Sequence, residues 1–263
     1  MNRYQKQREE LAHYGKLVHQ QGMVSATDGN LSVRVESDLI LATPTGMSKG
    51  MMQPEDMVLV DLQGKKVEGT RNVSSEIAMH LTIYRTRPDV HAVVHAHPCT
   101  ATGFASAGMA LDDPICSEVI ISLGAVPLAD YATTGTPELS ESLMPYISDY
   151  DAILLANHGA VSYGPDLTKA FMKMEAVEHF AKILLVTHQL GRQQFLSKED
   201  IRKLVAARDN YEGNKSMASM PPGPIERRTD ETRSKKDILA ALIQSTKMMM
   251  LPAVLLATDL LQS

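Results

Sequence analysis

The 263-residue chain has little of several residue types, and each shortage argues against a class of protein. It has no tryptophan and only four phenylalanines, which argues against aromatic platforms that stack nucleic-acid bases. The formal net charge is −5 and no long basic stretch occurs, so we expect no nucleic-acid partner. The two cysteines, Cys99 and Cys116, are too few for a disulfide framework. We expect Cys99 to be a small buried residue and the chain to be cytoplasmic.

Long apolar runs are also missing. The longest, residues 248–257, is too short to span a bilayer and contains Pro252. Residues 1–10 are polar and charged, unlike a signal peptide. We therefore expect no membrane segment. A hydrophobic content of 44% is nevertheless enough for a packed globular core.

Helical and strand periods alternate along most of the chain and then stop. At Gly213 the composition changes, and residues 213–236 contain the run Pro221-Pro222-Gly223-Pro224 among mixed charges. This pattern predicts a main domain over 1–212, a linker over 213–236 and an amphipathic appendage over 237–263. Helices are predicted at 3–22, 74–84, 115–122, from 166 onward and at 197–209, and strands at 31–35, 39–42, 57–61, 89–97, 126–128 and 151–156.

Three histidines carry most of the chemical information. His95 and His97 form a His-x-His pair in an extended apolar segment, where alternate side chains share one face. His158 follows another buried strand, on a turn that ends in glycine. Three imidazoles with a vacant position make an open site for a catalytic divalent metal ion. This pattern alone is also compatible with two core histidines and a turn histidine.

Three polar turns have the character of an anion site. They cover residues 27–30, 43–50 and 72–76, and the last stands at a predicted helix N-terminus. Glycines let backbone N–H groups approach an oxyanion, while hydroxyl groups and a helix dipole add to the binding. No Walker pattern is present, so a small phosphate ester is favoured over a nucleotide. Each turn taken alone also fits an ordinary loop or cap.

Glu76 stands two residues into the predicted serine-capped helix. A carboxylate beside a divalent metal can move protons on and off a carbon atom or a hydroxyl group. A favourable charge in the first turn of a helix is an equally good interpretation of its position.

Six segments in order, covering about residues 5–212, resemble the class II aldolase/epimerase family. They are TDGNLS (27–32), TPTG (43–46), SSE (74–76), RPDVHAVVHAH (87–97), YATTGT (131–136) and NHG (157–159). The resemblance implies an α/β fold of three α/β/α layers around a central, mostly antiparallel mixed sheet. It also implies a homotetramer whose active sites lie between subunits.

The resemblance further implies one zinc ion on His95, His97 and His158, with Glu76 as the acid/base that also touches the resting metal. It implies a phosphate pocket made by Gly29, Asn30, Thr45, Gly46, Ser74 and Ser75. The implied reaction is reversible cleavage of a deoxy-ketose 1-phosphate, such as L-fuculose 1-phosphate, through a zinc-stabilised enediolate. The products are dihydroxyacetone phosphate and an aldehyde such as lactaldehyde.

The chain departs from the family on the aldehyde side. A tyrosine that precedes the 131–136 segment in the aldolases falls at Ser117 or Glu118 here. A second family tyrosine corresponds approximately to Tyr211, which we therefore predict to be catalytic. One competing enzyme function is a pentulose-phosphate 4-epimerase, although the family's epimerases have an aspartate at the position of Glu76. Another is a methylthioribulose-phosphate dehydratase. A non-enzyme interpretation is an adducin-like structural module, which has lost the metal ligands.

The C-terminal appendage lies beyond the resemblance. A polar linker followed by an amphipathic segment is one way in which enzymes are tethered to partners. Some aldolases of this family resemble cargo of bacterial microcompartments, so a shell protein is one predicted partner. Packing on the chain's own oligomer is the competing interpretation.

Overall fold

The computed structural model describes residues 3–211. All of them lie in the first of the two compact units of the chain, Met1–Pro224. The predicted linker (213–236) and appendage (237–263) lie outside the described residues, so the domain boundaries stay predictions. None of the helices within 3–211 combines the length and apolar character that a bilayer crossing requires.

The described residues form seven α-helices and eight strands. The helices are α1 (Gln5–Gln20), α2 (Ile77–Thr86), α3 (Cys99–Ser106), α4 (Ser117–Ser122), α5 (Pro137–Ile147), α6 (Leu167–Gln189) and α7 (Lys198–Tyr211). The strands are β1 (Asn30–Glu36), β2 (Leu39–Ala42), β3 (Val58–Asp61), β4 (Lys66–Glu68), β5 (Ala92–Ala96), β6 (Leu128–Ala129), β7 (Ala152–Leu155) and β8 (Gly159–Gly164).

The strands form one eight-stranded sheet in the order β4-β3-β2-β1-β5-β8-β7-β6. Every neighbouring pair is antiparallel except β6 with β7, which is parallel. Strand β5, which carries His95, therefore lies inside the sheet between β1 and β8. The predicted mostly antiparallel mixed sheet is confirmed.

Separate apolar cores cover the two faces of the sheet. Consecutive residues of β5 contribute to different cores, because strand side chains alternate: Val94 packs with Leu11 of α1 and Phe180 of α6, on one face. Val93 packs with Met79 of α2 and Leu143 of α5 on the other. These are the two helical layers expected of the α/β/α fold.

Several sequence predictions differ from the structure. Strand β8 is not predicted, since it begins and ends in glycine, yet all six of its residues are buried. Helix α5 is missed because Pro145 interrupts its pattern, although Pro137 sits favourably at its first turn. Helix α3 is missed because CTATGFAS is poor in strong helix formers. Cys99 is exposed rather than buried, because it begins α3 at the surface.

Candidate active site

The sheet brings the three predicted histidines together. His95 lies in β5, His97 follows one residue after its end, and His158 lies in the turn between β7 and β8. Asn157 makes that turn with a left-handed φ of 56°, a conformation that asparagine tolerates better than most residues. One ligand nitrogen from each ring lies within 4.8 Å of the others, and the Nε2 atoms of His95 and His97 are 3.1 Å apart.

Backbone and carboxylate groups orient two of these rings. The Nδ1 atom of His95 is 2.9 Å from the carbonyl oxygen of Ala160. A carbonyl oxygen only accepts, so Nδ1 carries the proton and Nε2 presents its lone pair to the cluster. The Nδ1 atom of His97 faces a carboxylate oxygen of Asp28 at 3.6 Å.

Glu76 completes the cluster from the other side. Its Oε2 atom is 3.3 Å from His95 Nε2, and its Oε1 atom is 3.2 Å from His158 Nε2. Burial by itself raises the pKa of the Glu76 carboxyl, but the imidazoles of His95 and His158 outweigh it and hold the pKa well below its usual range. The carboxylate is therefore ionised beside the histidines.

The predicted position of Glu76 inside a helix from 74 to 84 is wrong. Helix α2 begins at Ile77, and Glu76 is its N-cap residue without a capping hydrogen bond from its side chain. The backbone N–H groups of Glu76 and Ile77 instead donate to Ser74, at its hydroxyl and carbonyl oxygens. The carboxylate is thereby left to point at the imidazoles.

A ladder of polar contacts joins one face of β1 to one face of α2. Asn30 donates from Nδ2 to Glu76 Oε2 at 2.8 Å. Two residues along β1, the Ser32 hydroxyl lies 2.7 Å from His80 Nδ1 and 2.8 Å from the Tyr84 hydroxyl. The strand period of two and the helical spacing of four keep these groups in line. The ladder holds the start of α2, and with it Glu76, against the strand.

His97, His158 and Glu76 line a polar cavity of about 330 Å³, with the buried His95 in contact with Glu76 behind them. All six predicted phosphate-binding residues also line it: Gly29, Asn30, Thr45, Gly46, Ser74 and Ser75. Gly29 has a φ of +71°, and a Cβ atom there would lie 2.8 Å from the carbonyl oxygen of His95. Glycine is required at this position both by its conformation and by the close approach of the turn to β5.

Sequence reasoning missed two charged residues around the site. Lys49 lines the cavity and is 1% exposed. Glu178, on α6, accepts hydrogen bonds from the backbone N–H groups of Thr100 and Ala101, at 2.9–3.2 Å. It thereby caps α3 directly after His97. Its only sequence signal is a carboxylate at a position that the helical period of α6 would bury.

No tyrosine from residues 3–207 lines this cavity. Ser117 and Glu118, where the family tyrosine was expected, open α4 and are not among its lining residues. Tyr211 is the last residue of α7, and its predicted catalytic role stays a prediction. Thr134, from the 131–136 segment, does line the cavity.

The donor set fits a bound cation. The Nε2 atoms of His95 and His97 lie 3.1 Å apart, and the ionised Glu76 carboxylate reaches both His95 and His158. Glu76 Oε1 and His158 Nδ1 are buried without a hydrogen-bond partner, so Oε1 remains available as a metal ligand. Neutral imidazoles and a carboxylate are ligands that zinc and similar divalent ions prefer.

Residues 9–185 match the family described as "Class II Aldolase and Adducin N-terminal domain". The chain belongs to this family. It is 36% identical over 209 residues to a 5-deoxy-D-ribulose 1-phosphate aldolase of Bacillus thuringiensis, covering 79% of this chain and 97% of the relative. It is 34% identical over 206 residues to a 3-oxo-tetronate 4-phosphate decarboxylase of Pectobacterium atrosepticum, covering 76% and 93%.

The fold of this class II aldolase family member agrees with solved structures of the family. An L-fuculose 1-phosphate aldolase superposes with a TM-score of 0.71 and 35% sequence identity, over 76% of this chain and 94% of that one. The family is generally metal-dependent, which agrees with the histidine cluster. The aldolases and decarboxylases among these relatives are lyases that break carbon–carbon bonds.

Proposed function

We propose that the chain is a zinc-dependent aldolase that reversibly cleaves a deoxy-ketose 1-phosphate into dihydroxyacetone phosphate and an aldehyde. L-Fuculose 1-phosphate and 5-deoxy-ribulose 1-phosphate are the first substrates to test, since relatives are named for both. One observation carries the proposal: a cluster of three imidazoles and the ionised Glu76 adjoins a cavity that His97, His158 and Glu76 line together with glycine and hydroxyl turns.

His95, His97 and His158 would hold the zinc ion, with Glu76 as a further ligand at rest. Bound zinc supplies Lewis-acid stabilisation of the negative charge that develops on neighbouring substrate oxygens. The hydrogen bond from His95 to the Ala160 carbonyl fixes the ring so that Nε2 stays available as a ligand. No lysine Schiff base is needed for the reaction.

Glu76 moves the proton at the donor carbon. In cleavage, the bond between carbons 3 and 4 breaks and its electron pair stays on carbon 3, while the hydroxyl on carbon 4 gives its proton to water and becomes the aldehyde oxygen. Glu76, which is ionised at rest, takes up a proton from water and delivers it to carbon 3, which releases dihydroxyacetone phosphate. In the reverse direction the Glu76 carboxylate removes that proton, and Asn30 holds the carboxylate in place at 2.8 Å.

The phosphate would lie among the three turns. Glycines 29 and 46 leave their backbone N–H groups accessible, and the side chains of Thr45, Ser74 and Ser75 offer hydroxyl donors. Anchoring the phosphate there would place the sugar chain toward the imidazoles and Glu76. Remote binding of this kind orients the reacting carbons and lowers the barrier.

The direct test is a coupled assay. L-Fuculose 1-phosphate and 5-deoxy-ribulose 1-phosphate are supplied, and dihydroxyacetone phosphate is coupled to NADH oxidation, with and without a chelator. We expect turnover that the chelator abolishes and added zinc restores. Turnover that ignores the chelator would rule out the metal-dependent mechanism.

Glu76→Gln tests the acid/base assignment. We expect the variant to keep zinc and to lose proton exchange at the donor carbon of dihydroxyacetone phosphate by about a hundredfold or more. The exchange is followed by proton NMR in deuterium oxide. Glu199→Gln, at an exposed position of α7, is the matched control and should exchange like the wild type. Undiminished exchange in Glu76→Gln would show that another group is the base.

A decarboxylase is the second candidate, and the absence of a tyrosine among the cavity residues of the described chain favours it. Loss of carbon dioxide leaves the same electron pair beside a carbonyl but requires no base for a hydroxyl proton. A relative at 34% identity is named as a decarboxylase of a 3-oxo acid 4-phosphate. Release of carbon dioxide from such an acid, faster than aldol cleavage, would select this function.

An epimerase, a dehydratase and a structural module have less support. The epimerases of the family have an aspartate where this chain has Glu76. A dehydratase would have to be tested on methylthioribulose phosphate. An adducin-like structural role does not explain the converging ligands of His95, His97 and His158. Zinc binding without any lyase activity would favour that role.

We also propose a homotetramer with active sites between subunits. Its support is a group of exposed apolar side chains at the end of α6 and just beyond it: Leu185, Val186, Leu190 and Phe195, which are 41–74% exposed. Light scattering gives the subunit number directly.

The proposed tethering of residues 237–263 to a microcompartment shell is tested by fusing 234–263 to a fluorescent protein. Diffuse fluorescence beside assembled shells contradicts it.

A further inference from the structure

Lys49 is a buried cation for which the proposed reaction has so far no use. It lies in the turn that follows β2, between Gly46 and Gly50, and only 1% of it is exposed. Gly15 of α1 packs on it, with the carbonyl oxygen of Lys49 3.2 Å from the position of a Gly15 Cβ atom. Its inner surface lines the same cavity as Thr45 and Ser74.

The Lys49 ammonium joins two of the three turns. Its Nζ atom donates to the carbonyl oxygen of Thr27 at 2.9 Å and to that of Met47 at 2.6 Å. An ammonium group has three N–H donors, so a third is left for a ligand. Within residues 3–207, no carboxylate oxygen lies within 4.0 Å of this nitrogen.

A buried charge without a counter-charge is costly. Burial lowers the pKa of Lys49 to about 8, against the opposing influence of the Asp28 and Glu76 carboxylates at longer range. Glu76 already contacts Asn30 and two imidazoles, and the half-exposed Asp28 carboxylate faces His97. An anion in the cavity would supply the missing counter-charge.

Lys49 is the single lysine or arginine among the described residues that line the cavity, beside the glycines and hydroxyls of the three turns. Two carboxylates also line it, but Glu76 contacts the imidazoles of His95 and His158, and Asp28 faces His97. Hydrogen bonds to a charged group are stronger than neutral ones, and a phosphate dianion gains most from a cation held in a site shielded from water.

We propose that Lys49 is a substrate-binding residue that meets the charge of the phosphate group and makes the cavity selective for phosphorylated over unphosphorylated substrates. The inference rests on the proposed function only in taking the substrate to be a phosphomonoester. By donating to the carbonyl oxygens of both Thr27 and Met47, Lys49 also holds together the turns that carry Gly29 and Gly46.

A purely structural role is the competing explanation, because the two carbonyl contacts alone would also stabilise the turns. The two explanations differ in what they predict for ligands. A structural defect lowers activity toward every substrate by the same factor, whereas a lost phosphate contact affects only phosphorylated substrates.

The first experiment measures inorganic phosphate binding to the full chain by isothermal titration calorimetry, which requires no catalysis. Lys49→Met should weaken binding by about tenfold to a hundredfold, whereas Lys49→Arg, which keeps the charge, should weaken it less. Lys6→Met, at a position that is 82% exposed, is the matched control and should bind like the wild type. If Lys49→Met does not fold, Lys49→Gln keeps an amide donor for the carbonyls and removes only the charge.

The second experiment compares kcat/KM for a ketose 1-phosphate and for the same ketose without phosphate. The ratio of the two should fall in Lys49→Met or Lys49→Gln by the factor seen in phosphate binding. An unchanged ratio, or phosphate binding equal to the wild type, overturns the proposal. If phosphate binding depends on Lys49 but no ketose phosphate is cleaved, the aldolase assignment fails and the Lys49 inference stands.

Discussion

Replacing Gly159 by alanine would place one methyl group between the end of β5 and the metal cluster. A Cβ atom at this position would lie 2.6 Å from the carbonyl oxygen of Ala96 and 2.6 Å from Cδ2 of His97. Ordinary van der Waals contact begins at 3.4 Å, so a neighbour must move by about 0.8 Å. Both contacts must be relieved: the Ala96 backbone is held by its pairing with Ala160 of β8, so residue 159 must shift away from it, and the His97 ring must be displaced as well.

The magnitude of the effect follows from these distances. Overpacking of this kind costs about 1–3 kcal/mol. Ligand distances in a metal site tolerate only about 0.2 Å, so a displaced His97 loses most of its contribution to binding. At about 1.4 kcal/mol for each factor of ten, zinc affinity should fall by about tenfold to a hundredfold.

Two measurements test this prediction of Gly159→Ala. Urea unfolding of the metal-free protein gives the loss of stability, and zinc titration against a chromophoric chelator gives the loss of affinity. Gly103→Ala in α3 is the matched control, because no atom lies within 4 Å of the added Cβ. Because Gly103 lies inside a helix, its replacement by alanine should raise the free energy of unfolding by about 0.5–1 kcal/mol. If Gly159→Ala unfolds and binds zinc like the wild type, the steric reasoning is refuted.

Three further outcomes are expected. Ser32→Ala leaves His80 and Tyr84 buried without their shared hydrogen-bond partner, so the free energy of unfolding in urea should fall by about 1–3 kcal/mol. Ser142→Ala is the control and should lose less, because the Ser142 hydroxyl donates a hydrogen bond within its own helix. Burial lowers the pKa of His80 from 6.5 to about 3, with His95 adding to the effect. The unfolded chain therefore takes up this proton first as the pH falls below 6.5, and the free energy of unfolding decreases through the window from 6.5 to 3, by up to about 1.4 kcal/mol per pH unit. His80→Gln should flatten that dependence in urea unfolding at pH 7 and pH 5, and an equal slope contradicts the assignment. Zinc at about a hundred times its dissociation constant should stabilise the chain by about 2.7 kcal/mol, and thermal unfolding that is indifferent to zinc and chelator would speak against a metal site.

Local spacing predicts that His95 and His97 share one face, because that depends only on the strand period. The meeting of His158 with this pair depends on the pairing of β8 with β5, which no local pattern shows. Strand β8 is not predictable in the same way, because its glycine ends resemble turns and its burial comes from β5 and β7 on either side. Helix α5 contains Pro145, which in the sequence indicates an interruption.

The electrostatic part of the site depends on long-range contacts. Periodicity puts Glu76 inside a helix, but its contacts with Asn30, His95 and His158 come from three different elements. Lys49 follows a glycine turn and looks like a solvated lysine. It is buried, and Gly15, 34 positions earlier in the chain, packs against it, a contact that no local pattern shows.

Because His95 donates a hydrogen bond to the carbonyl oxygen of Ala160, its ability to bind a metal depends on the correct alignment of the strands. His95 pairs with Val161 and Ala96 with Ala160, so the strand pairing that builds the sheet also fixes the tautomer of the His95 imidazole. A slip of β5 by one residue would turn His95 to the opposite face and remove its acceptor. With zinc as the proposed ion, we therefore expect zinc stoichiometry after saturation to fall with the fraction of molecules that have folded out of register.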